Sequence, residues 1–134
     1  MKTLDMKFIR YLNLFEKVTR ITIQDCFSYN NVIIFAVPYH LFYRAMGEDN
    51  KNIRVLSEIL EKKIRIIPLP RNPAEFIAKI VAPVKFKGIE INDKEIIINA
   101  GKQSKAALIG RNKVRIEELS NITKEYFGKD TRII

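Results

Sequence analysis

The strongest constraint in this sequence is that its second half repeats its first. Gly47 stands in the segment AMGEDNKNI at 45–53, and Gly110 stands in LIGRNKVRI at 108–116. Each glycine follows a large apolar residue, and an isoleucine comes six positions later in both segments. Both halves also close on the tripeptide Arg-Ile-Ile. Because such self-similarity marks repeated folding units, the chain is predicted to hold two copies of one small domain.

The apolar pattern predicts the same order of elements in both halves. The elements predicted for the first half are, in chain order, a helix capped by Thr3 with an apolar stripe at Leu4, Phe8, Leu12 and Phe15, strands at 21–27 and 32–37 joined by a turn at 29–31, a short helix after Pro38, a helix with Ile53, Leu56, Ile59 and Leu60 on one face, and a strand at 64–67. Those predicted for the second half are a helix with Phe76, Ile77 and Ile80 on its apolar face, strands at 84–91 and 95–99 joined by a turn at 92–93, helices at 102–109 and 113–127, and a strand at 130–134. Each half therefore reads helix–strand–strand–helix–glycine turn–helix–strand, which is an α+β arrangement.

Proline marks the predicted domain boundary. The segment PLPRNP at 68–73 contains three prolines, which favour a short, stiff connector over a flexible tether. Asn72 and Glu75 fit an N-cap and a capping-box acid with a proline between them, so the next helix is expected to begin here. We therefore predict domains at 1–69 and 70–134. Each has about 60 residues, which is marginal for independent folding, so the two are expected to pack as one rigid unit.

The charge balance favours an anionic partner. The chain has 24 Lys and Arg against 15 Asp and Glu, for a net charge of +9. Residues 1–70 hold 11 basic and 7 acidic side chains and residues 71–134 hold 13 and 8, so the excess is +4 and +5. An even spread indicates two similar basic units that suit RNA, DNA or an acidic membrane surface. A lysine-rich surface that serves only solubility or thermal adaptation is the alternative.

Cysteine and histidine are too few to build a metal site or a disulfide framework. Cys26 and His40 each stand alone, so neither is expected to act as a ligand or nucleophile, and no cofactor is expected. No apolar run approaches the roughly 20 residues that span a bilayer. Lys7 and Arg10 interrupt the apolar N-terminal positions, so no signal peptide is expected. The expected compartment is the cytoplasm, with no membrane partner.

The acidic residues show no pattern that indicates an active site. They occur singly at charged helix-surface positions such as Glu58, Glu61, Glu117 and Glu118. Neither a Walker-type loop nor a dinucleotide-binding glycine loop occurs in the sequence. We therefore expect no enzymatic activity and no small-molecule substrate.

The two glycine turns are the predicted functional sites. A tight loop between two helices exposes the first backbone N–H groups of the second helix, which have no partner within it. The aligned peptide dipoles add a partial positive charge at the same place. Glycine lets a phosphate approach closely, so each turn is predicted to bind a polyanion. A helix-terminating glycine turn without a ligand and a DNA-reading helix-turn-helix are the alternatives.

The sequence around each turn resembles the KH domain. Residues 109–116 (IGRNKVRI) and 46–53 (MGEDNKNI) are both similar to the KH pattern Ile-Gly-x-x-Gly-x-x-Ile, in which the loop clamps single-stranded nucleic acid. Two tandem copies with a leading helix and a closing strand resemble the type II, prokaryotic form. A small protein of two such domains resembles the archaeal NusA family of transcription termination and elongation factors. The resemblance implies binding of single-stranded nascent RNA, a role in termination or antitermination, and association with RNA polymerase.

Both motifs keep the first glycine of the pattern and lose the second. Asn50 and Lys113 stand in its place, and asparagine tolerates the left-handed backbone region better than lysine does. Glu48 and Asp49 in the first loop would repel a phosphate. The second domain is therefore expected to bind RNA directly, and the first to bind weakly, to bind by another face, or to be structural. The candidate RNA-binding residues are Gly110, Arg111, Asn112, Lys113 and Arg115 in the second half, and Gly47, Asn50, Lys51 and Arg54 in the first.

Two interpretations stay open at this point. One is the RNA-binding module just described, and the other is a degenerate KH protein that docks on RNA polymerase or a ribosomal particle with little direct RNA binding. The aromatic residues Tyr39, Phe42 and Tyr43 precede the first loop and could stack on bases. Because aromatic clusters beside a hairpin are more often buried, we expect these three to belong to the core.

Overall fold

A computed structural model describes residues 6–69 and 72–134, and these form two compact units with those ranges. The predicted cap Thr3 and the boundary at Pro70 lie outside the described residues. The domain division at 69–70 therefore stays a prediction. In the part of the chain that the structure covers, no helix combines the length and apolar character needed to cross a membrane.

The first unit is a three-stranded sheet with helices packed against it. Its elements are α1 (Met6–Thr19), β1 (Asp25–Tyr29), β2 (Val32–Val37), a 3₁₀ turn (Tyr39–Leu41), α2 (Phe42–Met46), a 3₁₀ turn (Glu48–Asn50), α3 (Lys51–Leu60) and β3 (Lys63–Pro68). The strand order is β1-β2-β3, with β2 antiparallel to β1 and parallel to β3. Phe15 from α1 stacks on Phe35 from β2 with ring centroids 4.7 Å apart, and both side chains are fully buried. The helical spacing of the α1 stripe thus places one face of that helix on the sheet.

The second unit repeats this topology. Its elements are α4 (Pro73–Val81), β4 (Gly88–Ile91), β5 (Glu95–Asn99), α5 (Lys102–Ile109), a 3₁₀ turn (Arg111–Lys113), α6 (Val114–Phe127) and β6 (Asp130–Ile133). The strand order is β4-β5-β6, with β5 antiparallel to β4 and parallel to β6. The predicted element order is therefore confirmed in both halves, and the fold is α+β.

The predicted start of α4 is confirmed in detail. The Asn72 side chain accepts a hydrogen bond from the Glu75 backbone N–H at 2.9 Å, and a proline occupies the first turn. This arrangement satisfies one of the backbone donors that a helix leaves open at its N-terminus. The residues predicted for the apolar face of α4, Phe76, Ile77 and Ile80, are all buried.

Two strands are shorter than the apolar pattern predicts. The structure begins β1 at Asp25 rather than 21, and β4 at Gly88 rather than 84. In both cases the antiparallel partner strand ends before it could pair with the missing residues. A 3₁₀ turn follows β2, and α5 follows β5. Ile21 and Ile23 are nevertheless buried, so their side chains still join the core without ladder hydrogen bonds. Apolar character therefore marked burial here and not strand pairing.

One predicted core position in α3 is wrong. Leu56 is fully buried and Ile53 and Leu60 are partly buried against the same core, but Ile59 is 55% exposed. A ten-residue helix presents only a narrow stripe to its sheet, and Ile59 lies at the margin of that stripe.

A buried hydroxyl network fastens α6 to β6. Thr123 Oγ1 lies 2.7 Å from Thr131 Oγ1 and 2.8 Å from the Lys129 carbonyl oxygen. Ser120 Oγ accepts a hydrogen bond from the Thr131 backbone N–H at 3.0 Å. These bonds hold the long helix on the sheet and so help to position its N-terminus, where the second glycine turn lies.

Candidate nucleic-acid interface

The two glycine turns have the same backbone conformation. Gly47 has φ 76° and ψ 172°, and Gly110 has φ 76° and ψ 170°. This combination is essentially restricted to glycine, because a Cβ would collide with the neighbouring backbone. The backbone N–H of each glycine also ends the preceding helix. It donates to the backbone carbonyl oxygen of Tyr43 in the first unit and of Ala106 in the second. The sequence repeat thus corresponds to a structural repeat of the loop itself.

The two residues before the second helix are left-handed in both loops. Asp49 and Asn50 have φ of 54° and 58°, while Asn112 and Lys113 have φ of 55° and 62°. Lys113 therefore takes the conformation that asparagine was expected to hold more easily. Asn50 and Lys113, which stand where the motif has its second glycine, thus share the same left-handed conformation.

Two backbone N–H groups of the second loop have no hydrogen-bond partner within residues 72–134. The Lys113 N–H donates to the Gly110 carbonyl oxygen at 3.2 Å, within the 3₁₀ turn. No side chain caps this turn or α6, and within residues 72–134 no hydrogen bond occupies the N–H groups of Arg111 and Asn112. Unoccupied amides at a helix start provide both donors and partial positive charge for an anion.

The surface around the second loop is cationic. Arg111, Asn112 and Lys113 are exposed, and so are Lys102 and Lys105 on α5. No acidic residue occurs in the sequence at 96–116, so nothing in this segment opposes the positive field. An anion that approaches these amides therefore meets the cations of the loop before it meets the acids of α6, Glu117 and Glu118.

Arg115 differs from the other candidates in the second loop. Its guanidinium Nη1 forms an ion pair with Glu118 Oε1 at 2.6 Å. A Cβ on Gly110 would lie 2.6 Å from the Arg115 Cβ, so the base of this side chain lies directly against the glycine. The structure thus places Arg115 as a support of the turn with its charge partly neutralised by Glu118.

The first loop is braced by the candidate Arg54 and by Asn52, which was not among the candidates. Arg54 Nη1 donates to the Asp49 carbonyl oxygen, so its charge is directed into the loop. Asn52 Nδ2 donates to the Ala45 carbonyl oxygen at 2.9 Å and lies against Gly47. The remaining candidates, Asn50 and Lys51, are exposed beside the exposed acids Glu48 and Asp49. The electrostatic surface of this loop is therefore mixed, in contrast to the second.

The aromatic residues before the first loop are not the core cluster that the sequence predicts. Tyr39 is 72% exposed and Tyr43 is 81% exposed, while Phe42 is partly buried. The buried side of this short helical segment is formed by Leu41, Phe42, Ala45 and Met46. Because those four residues cover the core, Tyr39 and Tyr43, which lie four residues apart on the opposite side of the segment, face solvent. The spacing places both tyrosines on the surface only once the covered side is known, and the sequence alone does not show which side that is.

Neither the single cysteine nor the single histidine belongs to a glycine turn. Cys26 is a free thiol buried in β1, and His40 is exposed in the 3₁₀ turn. Over the two described ranges, no group of three His, Cys, Asp or Glu residues is placed to hold a metal ion.

Comparisons with known proteins give distant but nearly full-length similarities. No protein-family model matches the chain. A protein of Thermoplasma acidophilum named "Probable transcription termination protein NusA" is 22% identical over 130 residues, covering 94% of this chain and 90% of that protein. Proteins with the same name from Methanococcus vannielii and Halococcus morrhuae are each 24% identical, covering 98% and 96% of this chain and 79% and 94% of their own lengths.

A solved structure has the same fold. The structure described as "Crystal structure of APE1850" superposes with a TM-score of 0.69 at 25% identity, over 98% of this chain and 99% of that one. These similarities support the predicted resemblance at a coarse level. The chain is a distant relative, over nearly its whole length, of archaeal proteins named probable transcription termination protein NusA.

Proposed function

We propose that this chain binds single-stranded RNA through the Gly110 loop and acts in transcription termination or antitermination. Its two units are proposed to be type II KH domains, which clamp nucleic acid with the loop between two helices. The observation that carries the proposal is the pair of unoccupied N–H groups at Arg111 and Asn112 beside exposed Arg111 and Lys113. The transcription role is supported by the names of the distant relatives, and RNA polymerase is the protein partner that such a role implies.

The loop chemistry suits a phosphodiester better than it suits a base edge. Backbone N–H groups and a helix N-terminus recognise charge and shape, and they carry little sequence information. Exposed lysine and arginine add a salt-dependent attraction that every phosphate in a strand can satisfy. We therefore expect the second unit to hold the RNA backbone with little preference for sequence. Binding rather than catalysis is the proposed activity.

Reversing the charge at Lys113 is expected to weaken RNA binding. Lys113→Glu replaces a cation next to the open amides with a carboxylate, and we expect affinity for oligouridylate to fall about tenfold at low salt. The slope of log affinity against log salt concentration is expected to shrink by about one, because one phosphate contact is lost. Fluorescence anisotropy with labelled oligouridylate at several salt concentrations measures both quantities. Arg111→Glu is expected to act in the same direction.

A matched control is available on the same helix. Lys124→Glu makes the same charge change at an exposed position of α6, about 16 Å from Lys113 along the helix axis. This variant is expected to bind RNA almost as the parent chain does. Equal weakening by both variants would mean that only net charge matters, and unchanged binding by a folded Lys113→Glu would contradict the role of the loop. Retention on RNA-free polymerase without any RNA affinity would instead favour the docking module.

A further inference from the structure

We propose that Tyr39 and Tyr43 form a base-stacking surface for single-stranded RNA on the first unit. The inference rests on the proposed RNA-binding function and adds a second mode of contact to it. The Gly110 loop would hold phosphates, and the two tyrosines would hold bases. Neither tyrosine belongs to the residues that the glycine motif indicates.

Both rings are exposed and lie four residues apart. Tyr39 opens the 3₁₀ turn and Tyr43 lies in α2, which follows that turn directly. In an α-helix, side chains at that spacing have Cβ atoms about 5–6 Å apart, and a 3₁₀ turn, with its larger rise per residue, widens this separation. Phe42, partly buried against the core, makes an edge-to-face contact with Tyr43 at 5.3 Å between centroids. That contact limits the motion of the Tyr43 ring and lowers the entropy lost on stacking.

Charge around the two rings favours a polyanion. The sequence at 38–47 contains no acidic residue, and both His40 and Arg44 are exposed there. A strand whose bases stack on the rings brings its phosphates within reach of Arg44. Proteins that bind single strands without sequence preference combine aromatic platforms with cations in this way.

The repeat makes the contrast between the units informative. Tyr39 and Lys102 stand at the same distance before their loop glycines, as do Tyr43 and Ala106. The loops themselves differ in charge. The first loop has the acids Glu48 and Asp49 where the second has Arg111 and Asn112. The first unit thus offers aromatic rings and a poor phosphate loop, and the second offers cations and no exposed ring in its short helix.

A single-stranded nucleic acid fits this surface better than a protein does. The apolar neighbours Leu41, Phe42 and Met46 pack against the core, so they do not extend the exposed rings into a broad apolar patch. Protein interfaces generally surround such anchors with further desolvated surface. Base stacking requires only the ring faces and a nearby cation.

Intrinsic tyrosine fluorescence gives a direct test. The chain has no tryptophan, and of its five tyrosines Tyr11 and Tyr29 are buried and Tyr126 is partly buried. Stacking of bases on Tyr39 and Tyr43 should quench the fluorescence when oligouridylate is added. Inorganic polyphosphate, which has charge but no bases, should bind without comparable quenching. Quenching of equal size by polyphosphate would contradict the proposal.

Variants separate this inference from the proposed function. Tyr39→Ala and Tyr43→Ala should each lower affinity for oligouridylate at least about fivefold and leave the salt slope unchanged, while the matched Tyr→Phe variants should keep the parent affinity. Circular dichroism confirms that these exposed substitutions leave the fold intact. If the alanine variants bind oligouridylate as tightly as the parent chain while Lys113→Glu binds it more weakly, the proposed stacking surface is wrong and the proposed role of the loop still holds. No RNA binding by the parent chain would overturn both. Loss of retention on RNA-free polymerase with unchanged RNA affinity would assign the rings to a protein partner and overturn the inference.

Discussion

Replacing Gly110 with alanine is expected to lower the free energy of unfolding by about 2–5 kcal/mol. The backbone at Gly110 has φ 76° and ψ 170°, a combination that residues other than glycine rarely adopt. The new Cβ would also lie 2.6 Å from the Arg115 Cβ and 3.0 Å from the Arg115 backbone nitrogen. Because Arg115 belongs to the first turn of α6, relief requires movement of the helix itself.

Other glycines provide graded controls for this prediction. Gly47→Ala has the same φ, but its Cβ would meet only the end of the Asn52 side chain, at 3.0 Å from Nδ2, so a smaller loss is expected. Gly88→Ala has no heavy atom within 4 Å and should be nearly neutral. Urea denaturation of the three variants measures the differences. A Gly110→Ala protein as stable as Gly88→Ala would contradict the strain at this turn.

The same substitution is expected to impair RNA binding even in the folded fraction. Movement of the first turn of α6 displaces the N–H groups of Arg111 and Asn112, whose arrangement creates the proposed phosphate site. Anisotropy measured at a temperature where Gly110→Ala is still folded should therefore show weaker binding than Gly88→Ala. Full affinity in a folded Gly110→Ala would contradict the proposed use of these amides.

Truncating Phe35 is expected to unfold the first unit. Phe35 is fully buried and stacks on Phe15, and loss of such a side chain costs about 3–5 kcal/mol. A unit of about 60 residues has little stability to lose, so this cost is comparable to the whole. Amide hydrogen exchange, followed separately at 6–69 and 72–134, shows where protection falls. We expect the greater loss within 6–69.

A less buried phenylalanine serves as the control. Phe8 is partly buried on the same core and touches Tyr11 edge-to-face at 5.8 Å, so Phe8→Ala should destabilise the first unit far less. Equal loss of protection at 6–69 and 72–134 in Phe35→Ala would contradict the expected concentration of the loss in the first unit. Such a result would mean that the two halves unfold as one cooperative unit.

Much of the fold could be predicted because it depends on local patterns. Helical spacing identified α1 and α4, and continuous apolar runs identified β2 and β5. The starts of β1 and β4 were wrong because a strand extends only as far as its partner does, and Ile21 and Ile23, which precede β1, are buried without pairing. Strand length is therefore a property of the pair.

The site divides in a similar way. The two glycines marked both turns, because a backbone conformation closed to other residues leaves a visible trace in the sequence. The supporting roles of Arg54 and Arg115 could not be predicted from the sequence. In the folded chain Arg54 donates to the Asp49 carbonyl oxygen, and Arg115 pairs with the Glu118 carboxylate. Charge counts alone treat every arginine as available.

The amino-acid sequence by itself determined the repeat, the order of the elements, the two turns and the excess of positive charge. Each of these depends on residue identity over short stretches, where backbone preference and spacing act directly. The tertiary structure alone decided that Tyr39 and Tyr43 face solvent, which arginines support the loops, and where the strands stop. Those outcomes depend on which side of each element its distant neighbours cover, and no local pattern contains that information.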